Sequence, residues 1–243
     1  MRQFIRAAAL AATLSFAPFA AQAPASPALP GPLTAAAAPV SAHVVRAAAP
    51  ARETRDPTLA PGQAKADFYV WLARSSENRA RAEAFRAYLT AQELDHVVPV
   101  WQLLRTSSSW RQCAADRFEV APRAKWDHIA ATLRFVRDEV VPEIGPVEAL
   151  SAYRNESLNA CSDGAPQSAH RHFFALDLAP VSEAVGRPQM IREVCAAHAR
   201  DGRAYNAGLG FYSGLRFHVD SNGFRKWGPD GRGASSPCVT GIA

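Results

Sequence analysis

Two histidines and a carboxylate stand close together in one short segment of this sequence, where they could do metal chemistry. A turn candidate contains His170 and His172, and the alternating strand candidate Phe174–Leu178 follows it. Because side chains alternate along a strand, Asp177 points to the face that it shares with the small Ala175. The segment therefore offers an imidazole and a carboxylate to one site.

A second strand candidate, Leu215–Asp220, brings together a cation, an imidazole and a carboxylate. Its two-residue period puts Arg216, His218 and Asp220 on one face and the apolar side chains between them on the core face. Two histidines and one carboxylate leave a fourth position for water, which is a common arrangement of catalytic zinc. His218, together with Asp177 and a histidine of the first segment, predicts such a site.

Three helix candidates must support these strands. The first begins after Ser75–Glu77 and keeps its apolar residues at helical spacing as far as Leu89. The second has an apolar stripe along Trp126–Val140, and we expect Pro142 to end it. The third is predicted to begin at Pro188, since proline is favoured at the first helical position.

The strand candidates predict the fold class. Residues 147–153 form a short strand candidate that leads into a polar loop over Arg154–Gln167, and Leu209–Tyr212 forms a hairpin candidate with Leu215–Asp220 across Ser213-Gly214. Helices followed by short strands of this kind predict an α+β domain. We expect a small, mostly antiparallel sheet that carries a zinc site and is flanked by helices.

In these segments the sequence resembles the zinc D-alanyl-D-alanine carboxypeptidases and related peptidoglycan endopeptidases, in particular their periplasmic branch with a His-x-Asp ending. The resemblance covers roughly residues 126–227 and follows three family patterns in order: Ser-x-Tyr-Arg, Ser-x-His-x-x-Gly-x-Ala-x-Asp, and Gly-x-Gly-Tyr-Tyr with Phe-x-His-x-Asp. The matching segments are Ser151–Arg154 with Leu158-Asn159, Ser168–Asp177, Gly208–Tyr212 and Phe217–Asp220, with Trp227 beyond them.

The resemblance implies a zinc peptidase whose ligands are His170, Asp177 and His218. Zinc lowers the pKa of bound water towards neutrality and polarises the carbonyl that the water attacks. Arg154 matches the family arginine that contacts the substrate carbonyl or carboxylate, and its fixed charge suits a growing oxyanion.

The substrate side of the site is predicted from the same motifs. Tyr153 and Arg216 are expected to bind substrate, and Ser168 either binds substrate or caps a turn. Phe173 stands where the family has glycine, so we expect another backbone conformation or an aromatic ring beside the metal. In that case His172 could replace the other histidine of its turn as ligand.

The general base departs from the family pattern. Many members place an acidic residue three positions before the last histidine, where this sequence has Leu215. Asp220 is the nearest alternative because residues two apart on a strand share a face. It acts either as the base or by orienting His218 through the far ring nitrogen. Glu156 and Glu193 are further candidates for the base.

Composition and leader signals indicate an exported protein. The chain has 243 residues, 48% of them hydrophobic, and its apolar run Ala7–Ala20 is shorter than the ~20 residues that span a bilayer. This run follows two arginines and ends in Ala21-Gln22-Ala23, a cleavage-site pattern. We predict a signal peptide at 1–23, an Ala/Pro-rich disordered tether at 24–62 and a domain at 63–243, with a helical scaffold at 63–110 and a catalytic core at 120–228.

The charge of the chain bears on its binding partners, and its cysteine content bears on the compartment in which it folds. Loss of the signal peptide lowers the formal charge from +5 to +3, and no Lys/Arg block predicts nucleic-acid binding. The four cysteines of the mature chain predict one or two disulfides, with the pairing left open. We therefore expect a periplasmic or secreted monomer without a membrane span once the signal is removed.

The resemblance, together with the signs of export, implies hydrolysis of peptide bonds in peptidoglycan stems or cross-links. D,D and L,D specificity both remain open, as do trimming of termini and opening of cross-links. The alternative is a weakly active or inactive member of the fold that binds peptidoglycan and contains zinc. Leu215 and Phe173 motivate that alternative. A zinc-free secreted interaction module is the third hypothesis.

Overall fold

The computed structural model describes residues 59–241, whose helices and strands form an α+β unit. The helices are α1 (Lys65–Ala73), α2 (Ser76–Ala91), α3 (Trp126–Phe135), α4 (Val141–Ile144), α5 (Glu156–Cys161), α6 (Arg187–Asp201) and α7 (Pro237–Thr240). The strands are β1 (Val147–Ser151), β2 (Ala175–Pro180), β3 (Gly208–Phe211), β4 (Phe217–Asp220) and β5 (Arg225–Trp227). The predicted fold class is confirmed.

The strands form one sheet in the order β1-β2-β4-β3-β5. Within the described residues β3 and β5 are the parallel pair, and the other neighbours are antiparallel, as predicted. The predicted hairpin is β3 and β4, with Phe211 opposite Phe217 and a φ of +72° at Gly214 in the turn. The central pair, β2 and β4, places Asp177 directly opposite His218.

Helix α2 begins where the serine pattern predicts. The Ser75 hydroxyl accepts a hydrogen bond from the backbone N–H of Asn78 at 3.2 Å and so satisfies one of the donors that the first turn leaves unpaired. Phe85 lies fully buried on its inner face, with ring centroids 5.1 Å from Trp126 and 5.7 Å from Phe173. Helix α2 therefore supports both α3 and the turn that carries the histidines.

The prediction that Pro142 ends the second helix is wrong. A π-helical turn, Val136–Val140, joins α3 to α4, and the backbone N–H of Val141 bonds to the carbonyl oxygen of Val136. The proline lies in the first turn of α4, directly after the π-helical turn, and the helix continues past it. The helix ends instead at Gly145, which has a φ of +75°.

The polar segment 154–167 is not entirely a loop, because it contains α5. The Asn155 side chain caps this helix by accepting a hydrogen bond from the backbone N–H of Leu158 at 2.9 Å. The interpretation as a loop was wrong for Glu156–Cys161, since a single capped turn is too short to show a helical period.

Two disulfides are present, which confirms the prediction from cysteine count. Cys113–Cys161 joins the segment before residue 118 to α5, and Cys195–Cys238 joins α6 to α7. All four cysteines are therefore paired. Disulfides of this kind indicate an oxidising, extracellular environment.

The predicted signal peptide and most of the predicted tether lie outside the described residues. The last residues of that tether are described and already contact the domain: the Trp110 indole N–H donates to the carbonyl oxygen of Pro61 at 3.2 Å, and Gly62 lies against the Trp110 ring. Over residues 59–241, no helix combines the length and the apolar character needed to cross a bilayer.

Candidate metal centre

The three predicted metal ligands lie together in the structure. His170 lies in a 3₁₀ turn, Ala169–His172, just before β2, whereas Asp177 and His218 lie on β2 and β4. Their ligand atoms are within 4.8 Å of one another, and all three side chains are buried. Sheet pairing brings the carboxylate to one histidine, and the preceding turn brings the other.

The conformation of Phe173 differs from both sequence expectations, which were another backbone conformation or an aromatic ring beside the metal. It adopts the left-handed conformation itself, with φ 60° and ψ 28°, a backbone region that favours glycine. Its ring is fully buried and packs on Phe85 and Tyr153 in the core. Left-handed backbone costs a non-glycine residue about 1–2 kcal/mol, and burial of the ring offsets that cost.

His170 presents a lone pair to the carboxylate. Its Nδ1 donates to the carbonyl oxygen of Ala152 at 2.6 Å, and a carbonyl can only accept. Burial, reinforced by the charge of Arg154, lowers the pKa of His170 to about 4, so the ring is neutral near pH 7. Its Nε2 then carries no proton, although it lies 3.3 Å from Oδ1 of Asp177.

Whereas His170 faces Oδ1 of Asp177 with Nε2, His218 faces it with Nδ1. Its Nε2 lies 2.8 Å from Oδ2 of Asp220, and its Nδ1 lies 3.2 Å from Oδ1 of Asp177. Burial would lower the pKa of His218, but the hydrogen bonds with the two carboxylates outweigh burial and raise it. Because the Asp220 carboxylate can only accept, Nε2 of His218 carries a hydrogen, and Nδ1 takes up the second proton when the ring becomes charged.

Asp177 is held by cations on the oxygen that faces away from the histidines. Its Oδ2 accepts from Nη2 of Arg154 at 2.7 Å and from Nη2 of Arg216 at 2.6 Å, and its Oδ1 accepts from the Tyr212 hydroxyl at 2.9 Å. Burial alone would raise the pKa of Asp177, but His170 and Arg216 hold it well below its ordinary value. The carboxylate stays charged and keeps Oδ1 directed at both rings.

Asp220 lies behind His218 and has both oxygens occupied. Besides His218, it accepts from the backbone N–H of Asn222 at 2.8 Å and from Arg225 at 2.9 and 2.7 Å. Burial would raise its pKa, yet His218 and Arg225 together lower it. Of the two roles that the sequence left open, this geometry favours orientation of His218 over action as general base.

Arg154 contacts Asp177 with only part of its guanidinium. Its Nε and Nη2 also donate to Oγ of Ser151, at 3.1 and 3.0 Å. Its Nη1 makes no hydrogen bond within residues 59–241, and the side chain is 11% exposed. The guanidinium is thus fixed by the edge that carries Nε and Nη2.

The other predicted substrate residues are divided between the site and the core. Arg216 bonds to Oγ of Ser108 through Nη1 as well as to Asp177. Tyr153 is buried against Phe173, and its hydroxyl accepts from Lys125. Ser168 is half-buried at the start of the His170 turn and makes no side-chain cap there.

The alternative ligand and the alternative bases lie apart from the cluster. His172 is exposed and does not belong to the group of potential ligands. Glu156 is exposed and pairs with Arg171, and Glu193 pairs with Arg192.

Sequence reasoning gave no role to Tyr212, Ser108 and Arg225, although all three contact the ligands or their partners. Tyr212 belongs to a motif that the resemblance quotes. Ser108 and Arg225 come from other segments, which are brought near only by tertiary packing.

Comparisons of the chain with family models, with curated proteins and with solved structures find no match. The functional argument therefore depends on the geometry of the centre and on the residues of the three motifs.

Proposed function

We propose that this protein is an exported zinc peptidase that hydrolyses peptide bonds in peptidoglycan stems or cross-links. One observation supports it above the others. Nε2 of His170 and Oδ1 of Asp177 are both hydrogen-bond acceptors, yet they lie 3.3 Å apart in a buried site with Nδ1 of His218 on the same oxygen. Nδ1 of His218 is a third acceptor when its ring is neutral, and two histidines with one carboxylate that converge in this way are the ligand set of one class of catalytic zinc site.

The surroundings of the three residues also fit a metal centre. Metal-binding histidines usually donate their other ring nitrogen to a carbonyl or carboxylate, and bound carboxylates are themselves hydrogen-bonded. Ala152, Asp220 and the pair Arg154 and Arg216 supply these contacts here. Imidazole and carboxylate donors in a two-to-one ratio suit zinc, and zinc bound there would activate water and polarise a carbonyl.

This chain's own residues would then bind and orient the peptide. Nη1 of Arg154 can donate to the carbonyl oxygen of the scissile bond and stabilise the negative charge that grows on it. Arg216 adds a second positive charge at the same edge, held in place by Ser108 and Asp177. The predicted leader and the disulfides support a periplasmic location, and the three motifs support peptidoglycan as the substrate.

A zinc-containing peptidoglycan-binding protein is the second candidate, and a specific observation favours it. The family position for the base holds Leu215, and Asp220 has both oxygens occupied. A centre without a free carboxylate to take the proton of the attacking water would bind its ligand and turn over slowly.

The two candidates separate in one experiment. Purified protein is stripped with a chelator, reloaded with zinc and incubated with cross-linked muropeptides, and products are identified by mass spectrometry. We expect zinc-dependent cleavage by the wild type and none by His218→Ala, while His96→Ala, at a side chain that is 65% exposed, behaves as wild type. Tight zinc without cleavage would favour the binding protein, and absence of zinc binding would contradict both.

A further inference from the structure

The edge strand β5 reaches the metal centre across a strand that lies between them. In the sheet, β5 pairs with β3 and β3 pairs with β4. The register puts Arg225 beside Gly208, and Gly208 beside Asp220. Strands lie about 4.8 Å apart, so about 10 Å separates the backbones of β5 and β4. Arg225 nevertheless bonds to the Asp220 carboxylate.

Glycines in β3 make this reach sterically feasible. A Cβ atom on Gly208 would lie 2.4 Å from Oδ2 of Asp220 and 2.7 Å from Nη1 of Arg225. One residue pair further along, a Cβ on Gly210 would lie 2.0 Å from the ring of Trp227, which is 5.3 Å from the His218 ring. Neither glycine has a positive φ, so the space above them, not the backbone conformation, requires glycine.

Arg225 holds Asp220 with a two-pronged contact. Its Nη1 and Nη2 donate to Oδ1 and Oδ2 at 2.9 and 2.7 Å, and Nη1 also donates to the carbonyl oxygens of Asn222 and Gly223. A fork of this kind fixes the plane of a carboxylate as well as its distance. The fixed plane directs Oδ2 at Nε2 of His218.

We propose that Arg225 is a positioning residue for the metal centre, acting through Asp220 to hold His218 with Nδ1 towards Asp177, and that Gly208 lacks a side chain to admit this pair. The inference rests on the proposed function in so far as a metal occupies the centre. The part that concerns the orientation of His218 holds for the metal-free protein as well.

The test measures two quantities separately: the position of hydrogen on the His218 ring and the affinity for zinc. In metal-free protein, nitrogen NMR of the imidazoles reports which nitrogen of His218 carries hydrogen. At a pH where the His218 ring is neutral, we expect a single Nε2–H form in the wild type and a mixture in Arg225→Ala and Gly208→Ala. Competition with a chromogenic chelator should show zinc affinity about 10- to 100-fold weaker in both variants, the usual effect of losing an outer contact of a ligand. Cobalt(II) absorption should change in shape, because it reports ligand geometry.

Matched variants make the outcome decisive. Arg232→Ala removes an exposed arginine from the same part of the chain and should leave every readout unchanged. Arg225→Lys keeps the charge without the fork and should still weaken zinc, so it gives the comparison if Arg225→Ala fails to fold. Wild-type affinity, cobalt spectrum and His218 signals in Arg225→Lys would overturn the inference. Failure of the wild type to bind zinc would instead contradict the proposed function.

Discussion

At the scale of single residues, the hydrogen bond on the far side of each ring decides what the centre can bind. The carbonyl oxygen of Ala152 can only accept, so it fixes the tautomer of His170, and the Asp220 carboxylate does the same for His218. The atoms that face Asp177 are thereby left for a cation. These outer contacts should therefore control affinity more than turnover.

The variant Asp220→Asn tests this role for Asp220. If the residue orients His218, zinc affinity should fall about 10- to 100-fold, while turnover at saturating zinc stays near that of the wild type. A general base would give the opposite balance, with affinity kept and turnover lowered about 10²- to 10⁴-fold. Chelator competition and a muropeptide assay at saturating zinc distinguish the two. Asp163→Asn, at an exposed carboxylate, is the control.

Zinc affinity should depend on pH through His218. Its two carboxylate partners raise its pKa above the ordinary value despite burial, and zinc requires Nδ1 without a proton. Affinity should be constant above this raised pKa and fall about tenfold per pH unit below it. His170, with a pKa of about 4, adds no further loss above pH 5. Calorimetry in buffers of different ionisation heat should show about one proton released on binding at pH 6, and affinity independent of pH from 5 to 8 would contradict this.

At the scale of elements, periodic patterns in the sequence predicted several helices and strands. The features that they did not predict depend on tertiary contacts. The apolar stripe of α3, the capping serine of α2 and the alternation in β4 are local signals, so the sequence predicted these elements and the shared face of Arg216, His218 and Asp220. The π turn that admits Pro142 and the reach of Arg225 across β3 depend on packing. No local pattern encodes such contacts.

The His170 turn offers a test of how element shape depends on packing. Phe173→Gly would remove about 1–2 kcal/mol of left-handed strain. It would also remove a fully buried ring that contacts Phe85 and Tyr153, a loss of about 3–5 kcal/mol. We therefore expect a net loss of about 1–4 kcal/mol in the free energy of unfolding, measured with urea. A stabilised variant would show that the ring contributes less than the strain costs.

At the scale of the whole molecule, the two disulfides have similar spans and different positions relative to the centre. The sequence separations are 48 for Cys113–Cys161 and 43 for Cys195–Cys238, so chain entropy predicts a similar stabilisation of about 4 kcal/mol for each. The first one ties α5 to the segment that contains Ser108, whose hydroxyl accepts from Arg216. The second lies between α6 and α7.

Removal of each disulfide by paired serine substitutions should therefore separate stability from activity. Both double variants should lose about 2–4 kcal/mol in the free energy of unfolding. Loss of Cys113–Cys161 should in addition weaken substrate binding, because it frees the segment around Ser107 and Ser108, which is otherwise held to α5 by a 2.9 Å hydrogen bond from the Ser162 hydroxyl to Ser107. Muropeptide cleavage at a temperature where both variants remain folded would show a raised KM for the first and a wild-type KM for the second. An equal KM in both would contradict a role for this segment in holding Arg216.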